Sequence, residues 1–472
     1  MASKLEAIFS QVSRKSTPSP EEKIRVAALA EKVKNKVEKI ARKKKLDMKV
    51  RVEGSVAKDT WLKESPDIDI FMRIPSTVPQ LAFGTIYLEI AKEATAGAKQ
   101  VERFADHPYL EAVLDKTIIN IVPCYDVEKG EWKSATDRTP FHTDYVKPLL
   151  NDKLCGEIRL LKQFMKGINI YGAEIKIGGF SGYLCELLLL SYGSFLEVLK
   201  AASSWKVRTF IDLGKHYEGQ ESKLALAFEE PLVIVDPVDK GRNAASAVRQ
   251  DQLDQFVAAS REFLSKPKRK LFYPPDTKPF SQQELLEQME NRASALVLIE
   301  VRGVKAVPDV LWGQLYKSQR ALQAFARRHE FAMIGDAVWS DEKASVVFVL
   351  EANHRYLPHL RRHIGPPLHR KQECEKFLRK HKNSKRTLSG PRIERGRWVV
   401  DIIREHSDLV ELLESGLKKG GKDVGLAELV SRAMAKTLKI LVNEEVLTMY
   451  RRNQSFARFL TEYIKGKPKW LA

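Results

Sequence analysis

Apolar and polar positions follow two different periods in the opening part of the chain. Between residues 20 and 46, apolar residues recur at helical spacing with lysines between them, which predicts an amphipathic basic helix. Short runs rich in apolar and β-branched residues follow at 50–52, near 66–74, at 99–104 and at 117–124, and these runs predict strands. We therefore expect a mixed α/β unit here.

The pattern becomes mainly helical from Leu154 to about Phe263, where apolar runs have the length and the packing faces of helices. A charged, proline-rich stretch at 266–275 shows no periodicity and predicts a domain boundary. No internal repeat is evident along the chain.

Beyond this boundary the pattern predicts a strand at 295–301, a long helix at 309–330 and two strands at 332–339 and 345–350, with a hairpin turn at 340–343. This β-α-β-β order is that of a ferredoxin-like or RNA-recognition-like unit. The strands lack the paired aromatic residues on which RNA bases stack, so recognition by shape or by phosphate contact is the better expectation.

The fold class expected from these elements is α+β with several domains. We predict a mixed α/β head at 1–148, a helical central domain at 149–265 and a C-terminal body and tail at 266–472. The tail is expected to be charged and largely helical, with Trp398–Val400 as a last strand.

Composition describes an ordinary protein that is neither secreted nor membrane-bound. No apolar run approaches the roughly 18 residues that a membrane-spanning helix needs, and the first residues carry charges without an apolar stretch typical of a secretory signal. The four cysteines show no paired spacing and lie mostly among apolar residues, which predicts buried thiols rather than disulfides or zinc ligands. A cytoplasmic protein is therefore expected.

The net charge of +19 indicates a polyanionic partner, since self-repulsion of this size is relieved when a polyanion neutralises it. Residues 351–400 hold 14 Lys/Arg against 4 Asp/Glu, together with five of the ten histidines. We interpret this stretch as a track for nucleic-acid phosphates. His359 and His363 are interpreted as surface residues, because no further metal ligand has a suitable spacing.

Two carboxylates lie two residues apart in the predicted strand at 66–74. Side chains alternate between the two faces of a strand, so Asp67 and Asp69 share one face while Ile68 and Ile70 point into a core. Like charges on one face repel unless a cation lies between them. Mg²⁺ is suited to this position, because it binds one or two carboxylates together with substrate phosphate oxygens.

A Gly-Ser loop precedes this strand by about a dozen residues. Gly54 lets the backbone approach a phosphate closely, Ser55 can donate hydrogen bonds to it, and Lys58 adds positive charge. No Gly-Lys-Ser/Thr sequence follows, which disfavours a P-loop ATPase. The loop and the two carboxylates together predict metal-dependent nucleotidyl transfer.

The stretch Gly54–Phe71 resembles the signature of the DNA polymerase beta nucleotidyltransferase superfamily. Further matches, in order and at similar spacing, narrow the resemblance to the archaeal-type (class I) CCA-adding enzymes, which are tRNA nucleotidyltransferases. These matches are Ala105–Tyr109, Ile121–Tyr125, Lys133–His142, Arg159–Lys162, Ile170–Glu174, Gly179–Leu187, Val235–Asp239 and Arg242–Asn243. The second half of the chain resembles the family in pattern and length more than in sharp motifs.

The resemblance implies that C, C and A are added to tRNA 3′ ends from CTP and ATP, with release of pyrophosphate and with the protein as the template. It implies that Asp67 and Asp69 hold two Mg²⁺ ions roughly 4 Å apart. It also implies a homodimer. The basic residues expected at the tRNA interface are Arg361, Arg362, Arg370, Lys371, Arg379 and Lys380.

The resemblance assigns nucleotide contacts as well. Ser55 and Lys58 match the family's triphosphate-contacting loop, although the family has Arg at the position of Lys58, so a point charge replaces a bidentate fork. The remaining positions that match residues lining the nucleotide pocket are His107, Thr139, His142, Lys162, Tyr171 and Arg242.

One position departs from the family pattern. Asn120 stands where the family places a third carboxylate, as a metal ligand and catalytic residue. Asn takes no proton and binds Mg²⁺ weakly, so loss of that carboxylate should cost on the order of 10²- to 10⁴-fold in rate. Three explanations stay open: an engineered inactivating substitution, a natural variant compensated by Asp115 or Asp126, or a lineage that binds tRNA without adding nucleotides.

Two other functions remain as alternatives to CCA addition. The first is a template-independent poly(A) polymerase of the same superfamily, which would polymerise adenylate on generic RNA. The second is a catalytically inactive protein that only binds tRNA. Nucleotide incorporation distinguishes all three.

Overall fold

The computed structural model describes residues 2–104, 106–206 and 208–471. Three residues named in the predictions lie outside the described residues: Ala105, which opens one of the matched motifs, and Met1 and Ala472, which begin the first and end the last predicted domain. The chain forms two compact units, one running through Asp276 and including the residues from Lys467 onward, the other spanning Thr277–Gly466. The predicted three-domain division stays a prediction.

The first unit contains the following helices and strands. The helices are α1 (Ala2–Ser16), α2 (Pro20–Lys43), α3 (Gly54–Ala57), α4 (Leu88–Ala94), α5 (Thr139–Val146), α6 (Asp152–Gly167), α7 (Gly182–Tyr192), α8 (Phe195–Ser203), α9 (Glu221–Ala227) and α10 (Gln250–Ser265). The strands are β1 (Lys49–Glu53), β2 (Asp67–Pro75), β3 (Lys99–Phe104), β4 (Pro108–Leu114), β5 (Thr117–Asp126), β6 (Thr209–Ile211), β7 (Leu232–Asp236) and β8 (Asp239–Asn243).

A five-stranded sheet of order β1-β2-β5-β4-β3 forms the head of this unit, with β2 parallel to β5 and the other pairs antiparallel. One face is covered by α2 and α4, and Ile68 and Ile70 are fully buried there, as predicted from strand alternation. The predicted helix at 20–46 is confirmed as α2, which begins at a Ser19–Glu22 capping box. The opposite face of the sheet carries Asp67 and Asp69.

The region after the head is mainly helical, as expected, but it also contains a small sheet of order β6-β7-β8 that the periodicity did not indicate. Its strands are only three to five residues long, too short to establish a period. Phe164, Phe195, Phe256 and Phe263 are fully buried in the core formed by α6, α7, α8 and α10. This core fixes the helices that face the head.

The second unit contains its own helices and strands. The helices are α11 (Gln282–Arg292), α12 (Pro308–Arg328), α13 (Lys371–His381), α14 (Leu409–Leu417), α15 (Glu428–Thr437), α16 (Leu447–Arg452) and α17 (Gln454–Lys465). The strands are β9 (Ala295–Arg302), β10 (Met333–Ser340), β11 (Ser345–Ala352), β12 (Leu360–Pro367), β13 (Thr387–Glu394), β14 (Arg397–Ile403) and β15 (Lys439–Val442). They form a sheet of order β10-β11-β9-β15 and a sheet of order β12-β14-β13.

The prediction that Trp398–Val400 forms the last strand was wrong, because these residues lie in β14 and β15 follows it. The tail is mainly helical over residues 409–465, as expected, but residues 360–403 form a three-stranded sheet with one helix. The edge strands β12 and β13 each carry two charged residues, a glycine and at least one proline and expose much of their surface, so the apolar alternation typical of strands is weak there. His359 is exposed and His363 is half-buried on β12.

All four cysteines are free and buried, as predicted. Within residues 2–104, 106–206 and 208–471, no single helix is long and apolar enough to cross a membrane. One bent pair, α7 with α8, passes that test by length and composition alone.

Candidate active site

The Gly-Ser loop lies directly against Asp69, one of the two carboxylates on β2. Gly54 has φ +72°, and a β-carbon placed on it would lie 2.1 Å from Oδ2 of Asp69. Only glycine adopts this backbone conformation readily and leaves room for the carboxylate. The loop and the strand, about a dozen residues apart in sequence, therefore meet at one point. Ser55 follows within the short helix α3, where its carbonyl oxygen accepts a hydrogen bond from the backbone N–H of Thr60 at 2.9 Å.

Asp67 and Asp69 occupy one face of β2, as predicted. Burial, together with the charges of Asp69 and Glu111, raises the pKa of Asp67 to about 6. Burial also raises the pKa of Asp69, against a hydrogen bond from Asn120 and the charge of Lys58. Two partly buried carboxylates that repel each other are stabilised by a cation between them.

Asn120 lies beside Asp69 in the parallel ladder of β2 and β5, and its Nδ2 atom donates a hydrogen bond to Asp69 Oδ1 at 3.0 Å. The amide thus occupies one oxygen of the carboxylate. Asp126, one of the two candidates for compensation, lies six residues further along β5, which is roughly 20 Å in a strand. It forms ion pairs with Lys49 and Arg73. Asp115 lies in the turn between β4 and β5.

The carboxylate pair fits a divalent cation. Mg²⁺ takes one or two protein carboxylates and completes its shell with water and phosphate oxygens, so Asp67 and Asp69 fit the role of its protein ligands. Within the part of the chain that the structure describes, no group of three or more His, Cys, Asp or Glu side chains is arranged to hold a metal.

A buried ion-pair network lies next to this pair. Lys58 and Lys162 both contact the Glu186 carboxylate, at 2.5 Å and 3.2 Å, and all three side chains are at most 5% exposed. Thr60 donates a hydrogen bond to Glu186 and accepts one from Lys162. Burial alone would raise the pKa of Glu186, but the two ammonium groups hold it at about 2. Burial lowers the pKa of Lys162, and the charge of Glu186 opposes that shift. Glu186 is therefore a carboxylate that lies between two lysine side chains.

A second network is centred on the buried Asp236 at the end of β7. One of its oxygens contacts His142 at 2.9 Å and Arg242 at 2.5 Å, while Tyr183 donates to the other at 3.0 Å. The rings of His142 and Tyr183 stack with centroids 4.1 Å apart. Burial lowers the pKa of His142, so its imidazole is neutral at neutral pH. Burial opposes ionisation of Asp236, but His142 and Arg242 hold its pKa well below the usual range.

The two networks meet at Tyr183, since the Lys58 ammonium also lies 5.6 Å from the centre of this ring. Tyr171 joins them from another direction. A β-carbon on Gly182 would lie 3.1 Å from the Tyr171 hydroxyl and 3.5 Å from the Lys162 ammonium. Predicted pocket residues that are far apart in sequence thus converge around the start of α7.

The other predicted pocket residues show different surroundings. Thr139 begins α5, one turn before His142. His107 is buried against the Phe83 ring and contacts Thr136 Oγ1 at 2.8 Å. Among the hydrogen bonds and ring contacts of the described residues, none joins His107 to another predicted site residue. Arg242 lines an open cleft of about 800 Å³ together with Arg138 and Asn243.

Sequence reasoning missed three residues that organise this site, namely Glu186, Asp236 and Tyr183. All three lie in motifs that carried the family resemblance, but no role was assigned to them. Glu186 did leave a signal, because a single acid within an apolar helical run requires a buried cationic partner. Asp236 ends an apolar strand without a comparable pattern.

The basic residues predicted to contact tRNA lie on β12 and α13 of the second unit. Arg361 pairs with Glu330, and Arg362 lies near Asp401 and Glu394. Arg370 lies near Glu373 within its own turn. Lys371, Arg379 and Lys380 are exposed on α13, and no carboxylate of the described residues lies within ion-pair distance of them. We call these last three residues the α13 cations.

Comparison with known protein families gives three matches along the chain. Residues 34–142 match the family described as nucleotidyltransferase domain, and residues 156–273 match tRNA nucleotidyltransferase, second domain. Residues 292–443 match CCA-adding enzyme, C-terminal domain.

Curated relatives match almost from end to end. The CCA-adding enzyme of Methanosarcina barkeri is 35% identical over 450 residues, which is 95% of this chain and 96% of the relative. The CCA-adding enzyme of Methanothermobacter thermautotrophicus is 36% identical over 427 residues, 89% of this chain and 91% of the relative. Among solved structures, the Cid1 poly(U) polymerase with Mg 3′-dATP is 16% identical, covers 57% of this chain and 98% of its own, and has a TM-score of 0.45.

Proposed function

The chain belongs to the family of CCA-adding enzymes, and on that premise we propose how its own residues carry out the reaction. The enzyme adds C, C and A to the 3′ end of tRNA from CTP and ATP. The observation that carries this proposal is the contact between the Gly54 loop and Asp69, which brings a phosphate-binding turn and a pair of carboxylates to one point.

Asp67 and Asp69 are the residues that hold Mg²⁺ in this proposal, in a two-metal site. When bound, the cations neutralise triphosphate charge and lower the pKa of the tRNA 3′-hydroxyl, which attacks the α-phosphorus as pyrophosphate leaves. The repulsion between the two carboxylates supports this role, because it is relieved only by a cation or a proton.

The triphosphate lies, we propose, between the Gly54–Ser55 backbone and the two lysines of the buried network. Lys58 and Lys162 share one carboxylate, so the Lys58–Glu186–Lys162 group keeps a net positive charge. That surplus attracts the phosphates, while Glu186 fixes both ammonium groups in place. Lys58 acts as a point charge where the family has the fork of an arginine.

The base of the incoming nucleotide is selected, in this proposal, by the network around Asp236. His142 is held by Asp236 and stacked on Tyr183, and Arg242 is oriented by the same carboxylate. Thr139 and Tyr171 line the same pocket, and His107 is a more distant member. Groups oriented in this way reject a wrong base, because they are left without partners when it enters.

The tRNA contact is proposed to lie on the basic residues of β12 and α13, namely Arg361, Arg362, Arg370, Lys371, Arg379 and Lys380. We also propose that the sheet of order β10-β11-β9-β15 is a ferredoxin-like unit, since its strands, numbered in chain order, lie side by side in the order 2-3-1-4. We also propose that the enzyme is a homodimer and that it acts on tRNA in the cytoplasm.

Incorporation of labelled CTP and ATP into tRNA that lacks its terminal CCA tests this function. We expect two cytidines and one adenosine per tRNA, and none with Asp69→Asn. Adenylate polymerised on generic RNA would instead indicate a poly(A) polymerase. An inert chain that still binds tRNA would indicate a protein that only binds RNA.

A further inference from the structure

The sheet brings a second carboxylate to the position where Asn120 stands. On β4, Glu111 is the direct cross-strand neighbour of Asn120 on β5, and on the other side Asn120 is the neighbour of Asp69 on β2. Directly paired residues of neighbouring strands project to the same face. Asp69, Asn120 and Glu111 therefore form a row across one face of the sheet.

We propose that Glu111 supplies the third carboxylate of the catalytic site, as a ligand of the divalent cation, in place of the residue at position 120. Its side chain is one methylene longer than an aspartate and starts one strand further from Asp69. The added length extends its reach over the Asn120 amide. This inference rests on the proposed function, since it concerns the same site.

The charge of Glu111 already acts on one member of the carboxylate pair, since it is one of the charges that raise the pKa of Asp67. The other compensation candidates are less well placed. Asp126 lies at the far end of β5 and is held by Lys49 and Arg73. Asp115 lies in the turn after β4 rather than in the row.

In the structure, Glu111 is turned toward Arg103, whose guanidinium binds it through two hydrogen bonds of 3.1 Å and 2.9 Å. The two side chains are 26% and 21% exposed. A bidentate pair between an arginine and a carboxylate has a defined geometry, so Glu111 must leave Arg103 before it can bind the cation. Arg103 thus acts as a holding partner that competes with the metal.

Binding of Mn²⁺ tests this proposal without relying on catalysis. Free Mn²⁺ is measured by electron paramagnetic resonance in a titration of the full chain with an α,β-methylene analogue of CTP. We expect Glu111→Gln to weaken Mn²⁺ binding at least about tenfold. Asn120→Asp added to Glu111→Gln should restore binding, and Arg103→Gln should tighten it. Restored binding also shows that the variant has folded.

Glu102→Gln is the matched control. Glu102 lies on the neighbouring strand β3, paired with the core residue Leu110, and so projects to the opposite face. Its substitution should leave Mn²⁺ affinity unchanged. The proposal is overturned if Glu111→Gln binds Mn²⁺ as tightly as the unsubstituted chain, or if the unsubstituted chain with the analogue binds none.

Nucleotide incorporation separates this inference from the proposed function. If the unsubstituted chain adds CCA while Glu111→Gln is unaffected in both assays, the role of Glu111 is wrong and the function stands. If the unsubstituted chain adds no nucleotide but loses Mn²⁺ affinity on Glu111→Gln, the proposed function is wrong and the ligand role stands.

Discussion

The Lys58 ammonium lies 2.5 Å from the Glu186 carboxylate in the interior of the first unit, 128 positions apart in sequence. Lys162 contacts the same carboxylate. One acid on α7 therefore determines where both of the proposed triphosphate-binding lysines lie.

Replacing Glu186 by Gln should destabilise the protein by about 3–5 kcal/mol, because two buried ammonium groups lose their counter-charge. Urea unfolding at pH 7 measures the change. Glu197→Gln is the control, since its ion pair with Lys200 is exposed and should contribute little. An equal, small effect of both substitutions would contradict the buried network.

The ion pairs of Glu186 with Lys58 and Lys162 also predict how the free energy of unfolding depends on pH. The folded pKa of Glu186, about 2, lies below the ordinary value of 4.5. Its contribution to the free energy of unfolding is therefore complete above pH 4.5 and is lost as the pH falls toward 2. The stability difference between the unsubstituted chain and Glu186→Gln should shrink over that range. A difference that stays constant with pH would be inconsistent with this assignment.

The contribution of Asp67 to the free energy of unfolding should depend on pH in the opposite direction. Its pKa is raised from 3.8 to about 6 in the metal-free protein, so its protonated form is favoured by folding. The stabilisation is complete below pH 3.8 and disappears as the pH rises through about 6. The free energies of unfolding of Asp67→Asn and of the unsubstituted chain, both measured against pH in the presence of a chelator, test this prediction. Saturating Mg²⁺ should abolish the difference between the two proteins in how the free energy of unfolding changes with pH. If that difference persists in Mg²⁺, the cation binds elsewhere.

Gly54→Ala should abolish nucleotide incorporation, because the added β-carbon would collide with Asp69 Oδ2. Gly97→Ala is the matched control, since Gly97 also has positive φ but has nothing within 4 Å of an added β-carbon. The control should lose only about 1 kcal/mol of stability and keep its activity. Similar activity of the two variants would show that close approach to Asp69 is not required.

Neutralising the α13 cations should flatten the salt dependence of tRNA binding. The slope of log affinity against log salt should decrease by roughly 0.7 to 0.9 for each tRNA phosphate that the protein no longer neutralises. Replacing Lys371, Arg379 and Lys380 by Gln removes three charges, and filter binding at several salt concentrations measures the slope. Replacing the exposed Lys418, Lys419 and Lys422 by Gln removes the same charge elsewhere in this unit. Equal slopes for both triple variants would place the RNA on another surface.

Local patterns predicted the elements with strong periodicity. Helix α2, strand β2 and the strand pair β10 and β11 follow directly from the spacing of their apolar residues. The sheet of β12, β13 and β14 did not, because its exposed edge strands are stabilised by pairing with β14 rather than by an apolar face of their own. Strand β4, which carries Glu111, begins at a proline and was recognised only as a motif.

The sequence by itself determined that Asp67 and Asp69 share a face, because strand alternation is a property of neighbouring residues. It also marked Gly54 and Ser55 as a phosphate-binding turn, while the family resemblance singled out the amide at position 120. Only the tertiary structure decided which charges meet. Glu186 reaches Lys58 and Lys162, Asp236 reaches His142, and Glu111 lies beside Asn120 because strand register and helix packing join residues that no local period relates.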